Sequence, residues 1–321
     1  MSNTSVNSTT SVDSSNQIKY ILMQICYIPS IICSIFTLFH LLWNRNLRST
    51  FHNHISLALL TISITDSFFN HSLTLNYLRI SKVVPFTNSL CLFWNFINSV
   101  FTIASFLTMA WGSIERHLLI FHSSLFFTKR GRILFHYIPL FTTSLIYPVL
   151  SNLVIILFYP CRNQFNMSSL FCGYTCALKI QSVALYARIA HNFVPTFIVI
   201  ISTLTLIARV IMQKRQVQRN QFNWRRCRRM IIQLLALASL FLALTFPVTL
   251  ISIVQNCCLA TFAAAQSSNL NFLVRFLTIF MPFICLSLLP EIWSKLLPWK
   301  NQVQPVTTIR AGTIFNQQVK N

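Results

Sequence analysis

Apolar residues come in seven long runs along the chain, separated by short segments rich in Ser, Asn, Lys and Arg. A run of about 20 apolar residues is long enough to cross the hydrocarbon layer of a membrane as a helix. We therefore predict an all-α membrane protein, a seven-transmembrane helix bundle. The predicted spans are residues 19–43, 54–77, 90–120, 134–158, 183–208, 230–255 and 269–289.

Two different segments flank these runs. Residues 1–18 are rich in Ser, Thr and Asn, a composition that predicts a disordered extracellular tail. Pro290 is followed by apolar residues at helical spacing, which predicts a short amphipathic eighth helix on the inner membrane surface. Residues 19–297 would then form one receptor-sized transmembrane domain, and residues 298–321 a cytoplasmic tail.

Composition supports lipid as the solvent of this chain. Only 9% of its residues are charged and 54% are hydrophobic, with a mean hydropathy of +0.61, whereas soluble domains carry about 25% charged residues. The net charge of +21 would suit nucleic acid. However, the basic residues lie between apolar runs rather than on a polar domain, so we exclude nucleic acid and expect contact with membrane lipids.

The distribution of Lys and Arg predicts the orientation of the bundle. The segments that would be cytoplasmic hold 18 of these residues and the outer segments hold 5. Because positive charge accumulates on the cytoplasmic side, we predict a multi-pass plasma-membrane protein with its N-terminus outside. Three glycosylation sequons would then lie outside, at Asn3, Asn7 and Asn166.

The third span carries a distinctive pair of ends. It opens with Cys91 and closes on Glu115-Arg116-His117, so that Cys91 and Arg116 are 25 residues apart, or about 37 Å of helix. This pattern resembles the rhodopsin-like (class A) G-protein-coupled receptors, whose third helix opens with a disulfide cysteine and closes on an acid-Arg-aromatic triplet. Five further positions match the family pattern: Asp66, Ser105 as its partner, Phe241 with Pro247, and Pro282.

Two other family motifs are altered. The Cys-Trp-x-Pro pattern of the sixth helix is replaced here by Leu244-Thr245-Phe246-Pro247. The Asn-Pro-x-x-Tyr pattern of the seventh helix is replaced by Met281-Pro282-Phe283-Ile284-Cys285. The chain therefore resembles a divergent branch of the family, of the orphan or chemosensory type.

The resemblance implies a receptor that converts binding of an extracellular ligand into activation of a heterotrimeric G protein. It implies no enzymatic activity, no cofactor and no metal. Glu115 would hold Arg116 in the resting state. Cys91 would form a disulfide with the second outer loop, where Cys172 and Cys176 are the favoured partners and the remaining cysteines pair within the loop.

The predicted ligand pocket lies in the outer halves of the spans. Asn95 and Asn98 share one face of the third helix, and the outer halves hold no acid, so a cationic amine would find no counter-ion. Arg275 lies deep enough to need a partner, either a ligand anion or Asp66. A peptide or an acidic or neutral small molecule fits these donors. The other predicted pocket residues are Arg188, His191 and Gln255.

Two other functions remain open from the sequence, a seven-span transporter or channel, and a receptor-like protein that no longer couples to a G protein. Several histidines fall near the inner ends of the spans, and we interpret them as interfacial polar residues rather than as metal ligands. They are His52, His54, His117, His122 and His136.

Overall fold

The computed structural model describes residues 3–48, 51–216, 221–257 and 262–287. This part of the chain contains seven long helices, joined by loops and short helical turns. Three of these helices, α1, α3 and α6, are continuous: they are Asn3–Trp43, Asn88–Phe121 and Gln221–Cys257. No strand occurs within the described residues. The predicted all-α fold is therefore confirmed, while the predicted eighth helix and tail, residues 290–321, lie outside the described residues.

The other four helices contain π turns or a short break. α2 consists of Phe51–Asp66, the π turn Ser67–His71 and Ser72–Ile80. α4 consists of Lys129–Arg132, Ile133–Tyr137 (π), Ile138–Phe141, Thr142–Ile146 (π), Tyr147–Asn152 and Leu153–Leu157 (π). α5 consists of Gln181–Arg188, Ile189–Phe193 (π) and Val194–Gln216. α7 consists of Ala264–Val274 and Phe276–Ser287.

The N-terminal segment differs from the predicted disordered tail. α1 begins at Asn3, and Asn16 Nδ2 donates a 3.2 Å hydrogen bond to Ser81 Oγ after α2. Once a helix has nucleated, each added residue gains one backbone hydrogen bond at little further cost. The apolar part of α1 can thus carry the polar residues before it into the helix.

Six of the described helices are long and apolar enough to cross a membrane: α1, α3, α4, α5, α6 and α7. α2 is not among them because polar residues interrupt its apolar run. Asp66, Asn70 and His71 all fall in its middle, and each is at most 5% exposed. The polarity that lowers the hydropathy of α2 is therefore directed into the bundle.

α3 lies at the centre of the bundle and packs against α2, α4 and α5. α1 packs against α2 and α7, and α6 packs between α5 and α7. Large apolar side chains cover the outer faces, as on α1, where Ile25, Ile32 and Phe39 are at least 60% exposed. A polar interior with an apolar exterior is the arrangement that lipid requires.

The two ends of the bundle are named here by α3. The disulfide end is the one at which Cys91 bonds to Cys172 of the α4–α5 connection. There Thr87 Oγ1 caps α3 by accepting from the backbone N–H of Leu90 at 3.3 Å. The arginine end is the opposite one, at which Arg116 lies. Of the two predicted partners of Cys91, Cys172 forms the bond, and Cys176 bonds instead to Cys161 within the same connection.

A glycine allows α2 and α3 to approach closely. A Cβ atom added at Gly112 of α3 would lie 2.9 Å from Cγ2 of Ile55 on α2, and Ile55 is only 2% exposed. We expect Gly112→Ala to lower the free energy of unfolding by about 1–3 kcal/mol through overpacking. Thermal unfolding in detergent measures the effect. In a double-mutant cycle, Gly112→Ala should cost less in an Ile55→Ala background than in the parent, because the clashing methyl is absent there. Equal Tm values for Gly112→Ala and the parent would contradict this packing.

Candidate functional site

A buried polar cluster surrounds Asp66 at the π turn of α2. Asp66 Oδ2 lies 3.4 Å from His71 Nδ1, and its Oδ1 accepts a 3.1 Å hydrogen bond from Asn70 Nδ2. In an α-helix residues i and i+5 point in different directions, whereas the i→i+5 hydrogen bonding of a π turn brings them to one face. The π turn therefore lets both Asn70 and His71 meet Asp66.

Asn70 joins this cluster to α3. Its Nδ2 also donates to Asn98 Oδ1 at 2.9 Å, and its Oδ1 accepts from Trp94 Nε1 at 2.8 Å. Trp94 is 1% exposed, so its indole N–H needs a partner within the protein. The amide of Asn70 thus links Asp66 of α2 to two side chains of α3.

Arg275 of α7 lies on the disulfide side of this cluster. Its Nη1 donates to Thr74 Oγ1 at 2.8 Å, and its guanidinium carbon lies 4.4 Å from the centre of the Phe171 ring. No ion pair joins Arg275 to Asp66 within the part of the chain that the structure describes, because His71 occupies the carboxylate. The buried Nε of Arg275 has no hydrogen-bond partner among the described residues.

Phe171 is held in place by an unusual backbone. Phe171 and Cys172 have φ values of 59° and 57°, in the left-handed region that non-glycine residues rarely occupy. Asn95 Nδ2 donates to the Phe171 carbonyl oxygen at 2.6 Å, and the disulfide of Cys172 fixes the next residue to α3. These two restraints place the Phe171 ring beneath Arg275.

The predicted pocket residues do not all meet at this place. Asn95, Asn98 and Arg275 are brought together through Asn70, Thr74 and Phe171. His191 instead contacts the Tyr147 hydroxyl of α4 at 3.0 Å. Gln255 Nε2 donates to the backbone oxygen of Phe262 at 2.7 Å, and Arg188 is half-buried on α5.

At the arginine end, Arg116 is 2% exposed, and its Nε and Nη1 have no hydrogen-bond partner among the described residues. Glu115 is turned away from it. Its Oε2 accepts from Trp111 Nε1 at 3.2 Å, and its Oε1 lies 2.9 Å from His136 Nδ1 of α4. The expected Glu115–Arg116 pair is thus replaced by a Glu115–His136 pair, because a π turn of α4 places the buried His136 against the carboxylate.

The other predicted motif residues are buried packing positions. Phe241 of α6 is fully buried and its ring meets Phe106 of α3 edge-on at 4.9 Å. Pro247 lies inside α6 and Pro282 inside α7. His117, beside Arg116, is half-buried. No hydrogen bond joins Ser105 to Asp66 in the described residues, since Asn70 and His71 take up both carboxylate oxygens.

Comparison with known proteins decides the family. The family described as 7 transmembrane receptor (rhodopsin family) matches residues 34–289. The chain belongs to the rhodopsin family of seven-transmembrane receptors. The crystal structure of squid rhodopsin is similar in fold, with a TM-score of 0.69 at 17% sequence identity over 90% of this chain and 87% of that one. No curated protein sequence matches the chain.

The receptor is therefore a multi-pass membrane protein and not an enzyme.

The predicted glycosylation sequons differ in what the structure shows of them. Asn166 is exposed in the α4–α5 connection, while the side chains of Asn3 and Asn7 lie outside the described residues. Asn70, which also begins a sequon, is 4% exposed and committed to the polar cluster.

The sequence did not predict several residues of the receptor's polar clusters. His136, predicted as an interfacial polar residue, has a side chain that is fully buried against Glu115. No role in a polar cluster was predicted for Asn70, His71 or Trp94. The available signal was the placement of Asn70 and His71 four and five residues after Asp66 in an otherwise apolar segment.

The Asn70 amide provides a direct test of the cluster around Asp66. We expect Asn70→Leu to lower the free energy of unfolding by about 2 kcal/mol, because it leaves buried Trp94 and Asn98 groups unpaired. The measurement is thermal unfolding of the receptor in detergent. Phe68→Leu, on the same π turn but with Phe68 70% exposed to lipid, is the matched control. A parent-like Tm for Asn70→Leu would show that the cluster adds no stability.

Proposed function

We propose that this receptor converts binding of an extracellular ligand into activation of a heterotrimeric G protein at the plasma membrane. The observation that carries the proposal is the state of Arg116, a buried cation at one end of the bundle whose Nε and Nη1 have no hydrogen-bond partner among the described residues. Burying a cation whose donors are unpaired is costly. A state of the protein in which a partner accepts from these donors is therefore favoured.

A G-protein segment inserted at the arginine end would supply that partner. The planar guanidinium has five N–H donors, and backbone carbonyls or a carboxylate can accept hydrogen bonds from several of them at once. Activation would then be the opening of the bundle around Arg116, favoured by a ligand that binds the open state more tightly.

The charge distribution supports the orientation that this function needs. Of the 25 Lys and Arg residues, 18 fall in the segments that the sequence predicts to be cytoplasmic, and the side that is richer in positive charge is cytoplasmic. The disulfide end, with both loop disulfides, would face the oxidising exterior. Ligand and G protein would therefore act from opposite faces, with membrane lipids around the bundle.

The ligand that best fits the disulfide end is an acidic or neutral small molecule, or a peptide that presents its C-terminal carboxylate. Arg275 has a buried Nε without a described partner, and it rests on the Phe171 ring rather than on an acid. The chain has only four acids, of which Asp66 is already paired with His71. Among the described side chains of the disulfide end, a cationic ligand would thus find no free carboxylate.

A receptor-like protein that no longer couples is the second candidate. The altered motifs of α6 and α7, with Phe246 before Pro247 and Cys285 after Pro282, favour it. A transporter or channel lacks comparable support, since the carboxylate of Asp66, the acid in the middle of α2, is already in contact with His71 and Asn70.

Arg116→Ala should lower GTPγS exchange on purified G protein by at least about tenfold, because the charge-assisted contacts of the guanidinium are lost. Arg79→Ala is the matched control, since Arg79 is exposed at the disulfide end. If the parent stimulates no exchange with any of a panel of G proteins, the non-coupling candidate is correct. Solute flux in vesicles without exchange would instead establish transport.

Arg275→Gln tests the ligand class. Screening carboxylic acids beside their methyl esters should give acids that activate the parent more potently than the esters. The variant should lose about 10- to 100-fold in potency for acids only, the cost of one charge-assisted hydrogen bond. Arg162→Gln, in the exposed α4–α5 connection, should keep the preference. Equal potency of acids and esters on the parent receptor would overturn the anionic assignment.

A further inference from the structure

The backbone of Arg275 is anchored at the point where α7 is interrupted. Arg275 lies between the two segments of α7, Ala264–Val274 and Phe276–Ser287. Its carbonyl oxygen accepts a 3.1 Å hydrogen bond from Thr278 Oγ1 and lies 3.3 Å from His71 Nε2 of α2. The arginine side chain therefore starts at the level of His71, and its direction from there decides which groups the guanidinium meets.

The side chain extends toward the disulfide end and away from Asp66. Its Nη1 donates to Thr74 Oγ1 at 2.8 Å, and Thr74 follows Asp66 by eight residues on α2, or roughly 12 Å of helix. The Thr74 hydroxyl donates its own proton to the Asn70 carbonyl oxygen at 2.8 Å. Because that proton is already used, Thr74 acts toward Arg275 only as an acceptor.

The Phe171 ring makes the second contact of the guanidinium. The guanidinium carbon lies over the ring, 4.4 Å from its centre, in a cation–π contact. Trp94 of α3 meets the same ring edge-on at 5.1 Å, and the backbone of Phe171 is held by Asn95 and by the disulfide of Cys172. A ring that is fixed to α3 therefore determines where the guanidinium lies.

We infer that Thr74, Phe171 and Arg275 form a carboxylate-binding site, the acid site, in which Phe171 is the positioning residue that keeps the guanidinium away from Asp66. This inference rests on the proposed function, in which an acidic ligand activates the receptor. An aromatic face attracts a cation without neutralising its charge, so the charge of Arg275 is left for a ligand anion. Its Nε, which has no hydrogen-bond partner among the described residues, is a donor for that anion.

The acid site is built from α2, α7 and the α4–α5 connection. The predicted pocket residues of α5 and α6 make other contacts: His191 meets Tyr147 of α4, and Gln255 donates to the backbone of Phe262. A guanidinium that is already held in place loses less conformational freedom when an anion binds. The acid should therefore depend on Thr74 and Phe171, and not on the polar side chains of α5 and α6.

Variants of Phe171 separate positioning from packing. Phe171→Leu keeps an apolar side chain but removes the ring, so the guanidinium is free to turn toward Asp66. With the acid and methyl-ester pairs screened above, potency in GTPγS exchange should fall by about 3- to 30-fold for the acids, the range of a cation–π contact, and stay unchanged for the esters. Phe171→Tyr retains the ring and should keep the parent potencies. A loss of packing alone would lower acids and esters alike.

A double-mutant cycle and two controls locate the effect. In an Arg275→Gln background, Phe171→Leu should leave the acid-to-ester potency ratio unchanged, because Phe171 acts through the guanidinium. Arg188→Gln replaces a half-buried arginine of α5, and Phe93→Leu removes a ring that is 46% exposed; both should keep the parent ratio. A parent-like ratio in Phe171→Leu, or an equal loss in Arg188→Gln, would overturn the acid site.

A second readout needs neither ligand nor G protein. In the receptor labelled with ¹⁵N-arginine, the ring current of Phe171 should shift the Nε–H proton of Arg275 upfield. This signal should be absent from Arg275→Gln, lose its upfield shift in Phe171→Leu and keep it in Phe171→Tyr and Arg188→Gln. If no acid or ester stimulates exchange, the proposed function fails, and these spectra alone decide whether Phe171 positions the guanidinium. A parent spectrum without an upfield-shifted arginine signal would refute that role.

Discussion

Polar side chains inside a lipid-facing bundle must find their partners within the bundle, and this constraint shapes both ends of the receptor. Because no water is present there to form hydrogen bonds with an unpaired group, each buried acid needs hydrogen-bonding neighbours within the bundle. Asp66 is matched by His71 and Asn70, and Glu115 is matched by His136 and Trp111. In both cases a histidine from a π turn takes the place that an arginine or a hydroxyl was expected to fill.

The π turns explain how these histidines reach their acids. His71, His136 and His191 lie in the π turns of α2, α4 and α5, and each is at most 2% exposed. A π turn inserts one extra residue and turns the following side chains around the helix axis. A residue that regular helical spacing would place toward lipid can thereby point into the bundle.

Because the two buried acids contact histidines, Arg116 and Arg275 have no acidic partner among the described residues. Arg275 rests on the Phe171 ring and Thr74, and Arg116 lies buried beside a carboxylate that is turned away from it. Each arginine is therefore available to the partner that we propose for it, an anionic ligand at the disulfide end and a G protein at the arginine end.

The amino-acid sequence by itself determined the helical bundle, the position of its spans and the Cys91-to-Arg116 frame of α3. Apolar run length and the cost of burying backbone groups in lipid leave few other solutions. The choice of Cys172 over Cys176 for Cys91 and the assignment of His136 to Glu115 were decided only by the tertiary structure. These contacts depend on π turns and loop geometry, which set the direction of a side chain and leave no trace in hydropathy. Residues distant in sequence, such as Asn95 and Phe171, or His54 and His136, meet only when the helices pack.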